Sequence, residues 1–134
     1  MHTTADPPLV TRKVTEKITF SLREDGIFCT ECPPNTVMTL EDGIFSTKMT
    51  NEIQGGVAHP LLCDLSNVIK ITKDCREHFA GESHAKTIAI TALVVTNPIS
   101  KIIGNFFMGL NKPLKKTRLF TDREKAIEWL KLNQ

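Results

Sequence analysis

The sequence holds no tyrosine and a single tryptophan, Trp129, in 134 residues. Nucleic-acid binders rely on aromatic stacking or arginine-rich recognition helices, and neither pattern occurs here. Nucleic acid is therefore not an expected partner. Long hydrophobic runs are also missing. The most apolar stretch, Ile88 to Val95, is broken by Thr91. A membrane-spanning helix needs about 20 apolar residues, so integral membrane association is not expected. No G-x-S-x-G, H-E-x-x-H or phosphate-cradling G-x-x-x-x-G-K occurs. The chain is accordingly expected to be no enzyme and to need no cofactor.

Negative charge is absent over a long window. From Ser83 through Thr121 there is no Asp or Glu, while Lys86, Lys101, Lys112, Lys115, Lys116 and Arg118 all fall there. Residues 1–67 carry five basic and nine acidic residues, and residues 68–134 carry twelve and six. Such asymmetry points either to one region that attracts anions or to solvated helix ends. Cysteines are few: Cys29, Cys32, Cys63 and Cys75. Cys29-Thr-Glu-Cys32 has C-x-x-C spacing, but it lies in a β-like run closed by Pro33-Pro34. Residues i and i+3 of a strand point to opposite faces, so small apolar fillers are expected rather than a metal or redox pair. The N-terminus lacks a basic stretch followed by an apolar one. The cytoplasm is thus the expected compartment, with reduced thiols.

What is present is the patterning of one α/β domain. Residues 1–15, with Pro7-Pro8, read as a flexible arm, and residues 16–134 as a single domain. Ile18, Phe20 and Leu22 alternate with polar neighbours, as in a half-buried strand. Glu24-Asp25-Gly26 turns the chain into a return strand, Ile27–Cys32. Thr36–Leu40 is a short run that could extend the sheet. A helix is expected from Leu40 to about Gln54, opened by a weak Thr39-x-x-Asp42 capping arrangement and stopped by Gly55-Gly56. Pro60–Leu65 and Thr87–Thr96 read as central strands. Thr72 is placed to cap the helix that follows Val68–Ile71, with Gly81 its soft spot. His78 and Glu82 on one face of that helix are expected to form a salt bridge.

Asn97-Pro98 opens another helix, and Ile99, Ile102, Ile103, Phe106, Phe107 and Leu110 form an unbroken stripe expected to face the core. Thr117–Phe120 is a last strand. Thr121-Asp-Arg-Glu124 reads as a capping box for the final helix. The expected fold is α/β: a mixed four- to five-stranded sheet, with a leading antiparallel hairpin and then parallel strands, packed with about four helices.

At Asp64-Leu-Ser-Asn-Val-Ile-Lys-Ile-Thr72 the chain resembles the strand-turn-helix signature of STAS-type domains, the anti-sigma-factor-antagonist fold. Its C-terminal half is similar to an uncharacterised group of small bacterial proteins with that fold. The shared text is Phe79-Ala-Gly81, Gly104-Asn-Phe-Phe107-x-Gly109-x-Asn-Lys-Pro113, Thr117-Arg-Leu-Phe120 and Ala126-x-x-Trp129-Leu130. The likeness covers about residues 17–132. It implies a non-enzymatic module whose helix start docks on a partner protein, regulated in some members by phosphorylation. Thr72, Lys73 and Asp74 fall on the regulatory segment. Asp74 stands at the usual phosphoacceptor position, and an acid cannot accept phosphate as a hydroxyl does.

A second surface is picked out by residue type. Gly104 and Gly109 lie off the apolar stripe, where glycine weakens a helix, so something approaches closely there. Lys101, Asn105, Met108, Lys112, Lys115, Lys116 and Arg118 are the candidate interface or ligand surface. The expected function is regulation or scaffolding through a protein partner, a second copy in a homodimer included. The alternative is binding of a small apolar anion or lipid, an anionic amphiphile, in a pocket between helices and sheet, with Phe106, Phe107 and Met108 as its lining.

Overall fold

The computed structural model describes residues 7–133; residues 1–6 and 134 lie outside it. The elements are β1 (Leu9–Val14), β2 (Thr19–Arg23), β3 (Phe28–Glu31), β4 (Thr36–Met38), α1 (Leu40–Gln54), β5 (His59–Asp64) and β6 (Val68–Ile71). Then come α2 (Lys73–Ala80), α3 (Glu82–Ala85), β7 (Ile88–Val94), α4 (Pro98–Phe106), a π turn (Phe107–Asn111), β8 (Thr117–Phe120) and α5 (Arg123–Leu132). Six strands form the main sheet in the order β1-β2-β3-β5-β7-β8. The first three pair antiparallel and the rest parallel. The two continuous apolar runs, β5 and β7, occupy the interior as their composition requires.

Helices cover both faces of this sheet. On one, α5 packs Ala126, Ile127 and Leu130 against Ile27, Leu62, Ala92 and Val94. On the other, Met49 of α1 and Cys75 of α2 join Phe20, Phe28, Leu61 and Leu93, with Ile103 and Phe107 packed beside them. Cys29 packs with the α5 cluster and Cys32 with the opposite one, so the two thiols do face opposite ways.

Several local expectations are corrected. Part of the arm read over residues 1–15 is β1, which pairs with β2 from Leu9↔Arg23 to Val14↔Thr19. Its side chains are mostly exposed, so it carries no hydrophobic alternation and is held by backbone bonds. The sheet is accordingly one strand wider than expected. The run at Thr36 does not extend it; β4 pairs in parallel with β6 in a separate two-stranded sheet. The helix after Thr72 breaks at Gly81 into α2 and α3, giving five α-helices. The break parts His78 from Glu82, and among the described residues no salt bridge joins them; His78 instead meets Thr47. Helix α5 is capped by Asp122, not Thr121: the Asp122 carboxylate accepts from the Glu124 and Lys125 amides. At α1 the weak Thr39–Asp42 pattern forms a complete capping box.

Helix α4 gives the largest correction. Its apolar stripe does not face the core. The helix is turned about its axis so that Ser100 and Gly104 point inward. Ile103 and Phe107 are half-buried, while Ile99 is 50% exposed, Ile102 58%, Phe106 52% and Leu110 69%. The cause is close approach at Gly104, where a Cβ would lie 2.9 Å from Leu119 Cδ2 and 3.1 Å from Val95 Cγ1. Gly104→Ala therefore sets a helix gain of about 1 kcal/mol against an overpacking cost of about 1–3 kcal/mol. The expected net is a loss of roughly 1 kcal/mol in urea unfolding. A variant more stable than the wild type would show that α4 does not press on the sheet there.

Candidate functional site

The helix start singled out by the sequence is built from β6 and α2. Thr72 holds the N-cap position, yet its side chain caps no backbone amide. Its hydroxyl donates to the Asp74 carboxylate, which in turn accepts the Cys75 amide at 2.8 Å. The capping role expected of Thr72 is thus not made, because the neighbouring acid is the stronger acceptor. Lys73 and Asp74 are exposed. Arg76 anchors the segment: Nη1 donates to the Ile71 carbonyl at 2.7 Å and Nε to Asn111 Oδ1 at 3.3 Å. That second bond ties α2 to the π turn that continues α4. Helix α4 also packs on β6, whose Ile69 and Lys70 are exposed.

The basic candidates do not form one surface. Lys101 and Asn105 are exposed on α4, and Lys112 just after the π turn, while Met108 is half-buried. Lys115 lines an interior cavity. Lys116 and Arg118 lie with the α5 side: the Lys116 ammonium sits 5.7 Å from the Trp129 ring centre, and the Arg118 guanidinium 5.0 Å from that of Phe120. Alternation along β8 accounts for the split, since Leu119 joins one cluster and Phe120 the other.

Two features were not visible in the sequence. The first is the exposed apolar row on α4, since periodicity reports that a stripe exists and not which way it faces. The second is a cavity of about 80 Å³ between the main sheet and a layer made of α1, α2, α3 and the π turn. Residues distant in sequence line it, among them Leu61, Phe79, Ile88, Thr91, Leu93 and Phe107. Of the proposed lining, Phe107 is there and Phe106 faces out. At its edge Thr47 Oγ1 lies 2.8 Å from His78 Nε2 and 3.2 Å from His84 Nδ1.

Thiol chemistry has little support from the local electrostatics. Burial pushes the Cys32 thiol up to about 12, Cys63 to about 11 and Cys75 to about 12, with nearby acids adding to the shift. All three are then protonated near neutrality, and the thiol is a poor nucleophile. Among the described residues no three His, Cys, Asp or Glu side chains gather as a metal site, and no helix is long and apolar enough to cross a membrane.

Comparison with known proteins places the fold. An uncharacterised protein from Shewanella loihica PV-4, of the DUF3478 family and with a SpoIIAA-like fold, is 15% identical; the match covers 97% of this chain and 98% of that one, with a TM-score of 0.51. A protein of unknown function from Arthrobacter sp. FB24 is 27% identical over 84% of this chain and 92% of that one, with a TM-score of 0.33. No curated protein matches. The first likeness establishes the STAS-type fold that the Asp64–Thr72 signature implied. Residues 20–133 match a family described only as a domain of unknown function, DUF7793, and the chain belongs to it.

Proposed function

We propose that this domain is a non-enzymatic regulatory module that docks a partner protein on the outer face of α4. The observation that carries the reading is the row Ile99, Ile102, Phe106 and Leu110, each at least half exposed. A clustered apolar face rimmed by polar groups is the usual mark of an interaction surface. Lys101 and Asn105 lie on its flank and Lys112 beyond its end. The row lies inside the acid-free window from Ser83 to Thr121. The occupant is therefore a partner with an apolar centre and an acidic rim. A second copy fits less well, because a two-fold contact here would bring lysine against lysine. Through Arg76 and Asn111 the face is tied to the Thr72–Asp74 helix start, the segment expected from the sequence resemblance to take part in docking.

A photocrosslinker at Ile102 in the native cell, with Glu128 as control site, identifies the occupant. Phe106→Asp is expected to weaken that partner by about 30-fold, as loss of an aromatic anchor does. Lys101→Glu should weaken it less and reduce its salt dependence. Equal labelling at both sites would overturn the reading. So would sedimentation that shows a dimer which Phe106→Asp converts to monomer, since the occupant would then be a second copy.

A further inference from the structure

Thr91 carries a buried hydroxyl that the fold leaves without a partner. It sits on β7, in the interior of the sheet, and is 5% exposed. Its hydroxyl, alone among the buried side-chain polar atoms of the described residues, makes no hydrogen bond. Thr117, opposite it on β8, donates to the Lys115 carbonyl at 2.8 Å. Thr87 donates to the His84 carbonyl at 2.8 Å, and Gln54 Nε2 to the Thr87 carbonyl at 2.7 Å. Valine would fill the same space without the hydroxyl, so as packing alone the threonine is a poor choice.

Thr91 lines the cavity between the sheet and the helix layer. Leu61 lies opposite it on β5, and Leu93 two positions further along β7. Phe107 closes the helix side from the wide π turn, a distortion that recurs at functional sites. The wall also carries Thr30, Ser46, Thr50 and Thr117, but among the described residues only the Thr91 hydroxyl is a fully buried side-chain polar atom with no partner, and a buried water needs two to four polar partners. The cavity's 80 Å³ equals the liquid-volume share of roughly two to three waters. The ionic groups on the wall, Asp64 and Lys115, are of opposite sign, so they do not select an ion of either charge.

We propose that this cavity binds a small, uncharged, largely apolar molecule whose single hydrogen-bonding oxygen meets the Thr91 hydroxyl. The geometry favours such a molecule over the anionic amphiphile expected from the lysine count. It needs no contribution from the outer face of α4, so the two sites can be tested separately.

Ethanol and ethane, both small enough for an 80 Å³ cavity, serve as probes, titrated into the isotope-labelled full chain and followed by amide chemical shifts. Both are expected to give saturable shifts on β5, β7 and β8. Thr91→Val should weaken ethanol about fivefold and leave ethane within about twofold, the loss of one hydrogen bond. Thr91→Ser retains the hydroxyl and should retain the preference, which separates recognition from damage to the fold. Absence of saturable shifts with either probe overturns the proposal. Equal ethanol affinity in Thr91→Val and the wild type overturns it as well.

Discussion

Asp25→Ala is expected to cost about 3 kcal/mol of stability, among the largest single effects in this domain, because it strips two charge-assisted bonds from a buried guanidinium. Arg23 is 3% exposed at the end of β2. Its Nε meets Asp25 Oδ1 at 3.0 Å and its Nη2 meets Oδ2 at 2.7 Å. The same carboxylate accepts the Ile27 amide at 3.3 Å and lies 3.7 Å from the Lys131 ammonium of α5. One acid thus pins the β2–β3 turn and the end of the last helix. Differential scanning calorimetry should find the midpoint lowered by roughly 10 °C for a domain of this size. A fall of only a degree or two would mean that the pair is solvated.

The pH dependence of that loss can be assigned a sign. Burial works to raise the Asp25 pKa, but the bonds from Arg23 and Ile27 outweigh it and the net shift is downward. A carboxyl lowered on folding stabilises above its unfolded pKa of about 4 and ceases to as pH falls through the folded value. The gap between wild type and Asp25→Ala should therefore be constant near neutrality and close only below about pH 4. Asp42 behaves alike: burial raises its pKa, while the Lys17 ammonium at 2.8 Å and the Thr39 cap lower it further. Acid unfolding below about pH 4 therefore has two contributors.

Where burial and local chemistry agree, the sequence is a good guide to this fold. Ile18-Phe20-Leu22, the turn at Asp25-Gly26 and the runs at β5 and β7 sit as their patterns require. The Asn97–Ser100 box opens α4 at the expected residue. Patterning fails where an element is held by something other than its own side chains. β1 is an exposed edge strand bonded through its backbone, and β4 and β6 make a sheet of two short strands. β1 lacks the alternation that reveals a strand; β4 and β6 do send Met38, Val68 and Ile71 into the core, and what their sequence does not show is that they pair with each other and not with the main sheet.

The α4 row exposes a deeper limit. Six apolar side chains at helical spacing give an amphipathic helix, and burial is the usual fate of such a face. Gly104 held the contrary information, since a glycine on the opposite side lets the backbone itself become the contact. Periodicity does not weigh one glycine against six large side chains. The cavity is harder still to read: its walls join β5, β7 and three helices, and only the folded chain brings Thr91 and Phe107 to one cavity. The Thr72–Asp74 segment is legible because a short signature marks it, and its bonding differs from the expected cap because the Asp74 carboxylate takes the Cys75 amide that Thr72 would have capped.

His84 should make this protein sensitive to mild acid in a window that the carboxylates do not reach. The ring is buried between α1 and the sheet and lines the cavity, with Nδ1 3.2 Å from the Thr47 hydroxyl. Burial first, and His78 beside it second, push its pKa down to about 4. The unfolded chain takes up this proton near pH 6.5, whereas the folded chain does so only near pH 4. Between those values the unfolded state holds one more proton, so stability falls as pH falls. The accumulated loss from pH 7 to pH 4 is about 3 kcal/mol. Urea unfolding at half-unit pH intervals should trace it, and His84→Gln, which cannot titrate, should flatten the slope between about pH 6.5 and 4. A wild type equally stable at pH 7 and pH 5 would show the ring to be solvated. A slope unchanged in His84→Gln would place the titrating group elsewhere. The window also separates the two acid effects: loss above about pH 4 belongs to the imidazole at the cavity wall, and loss below it to Asp25 and Asp42.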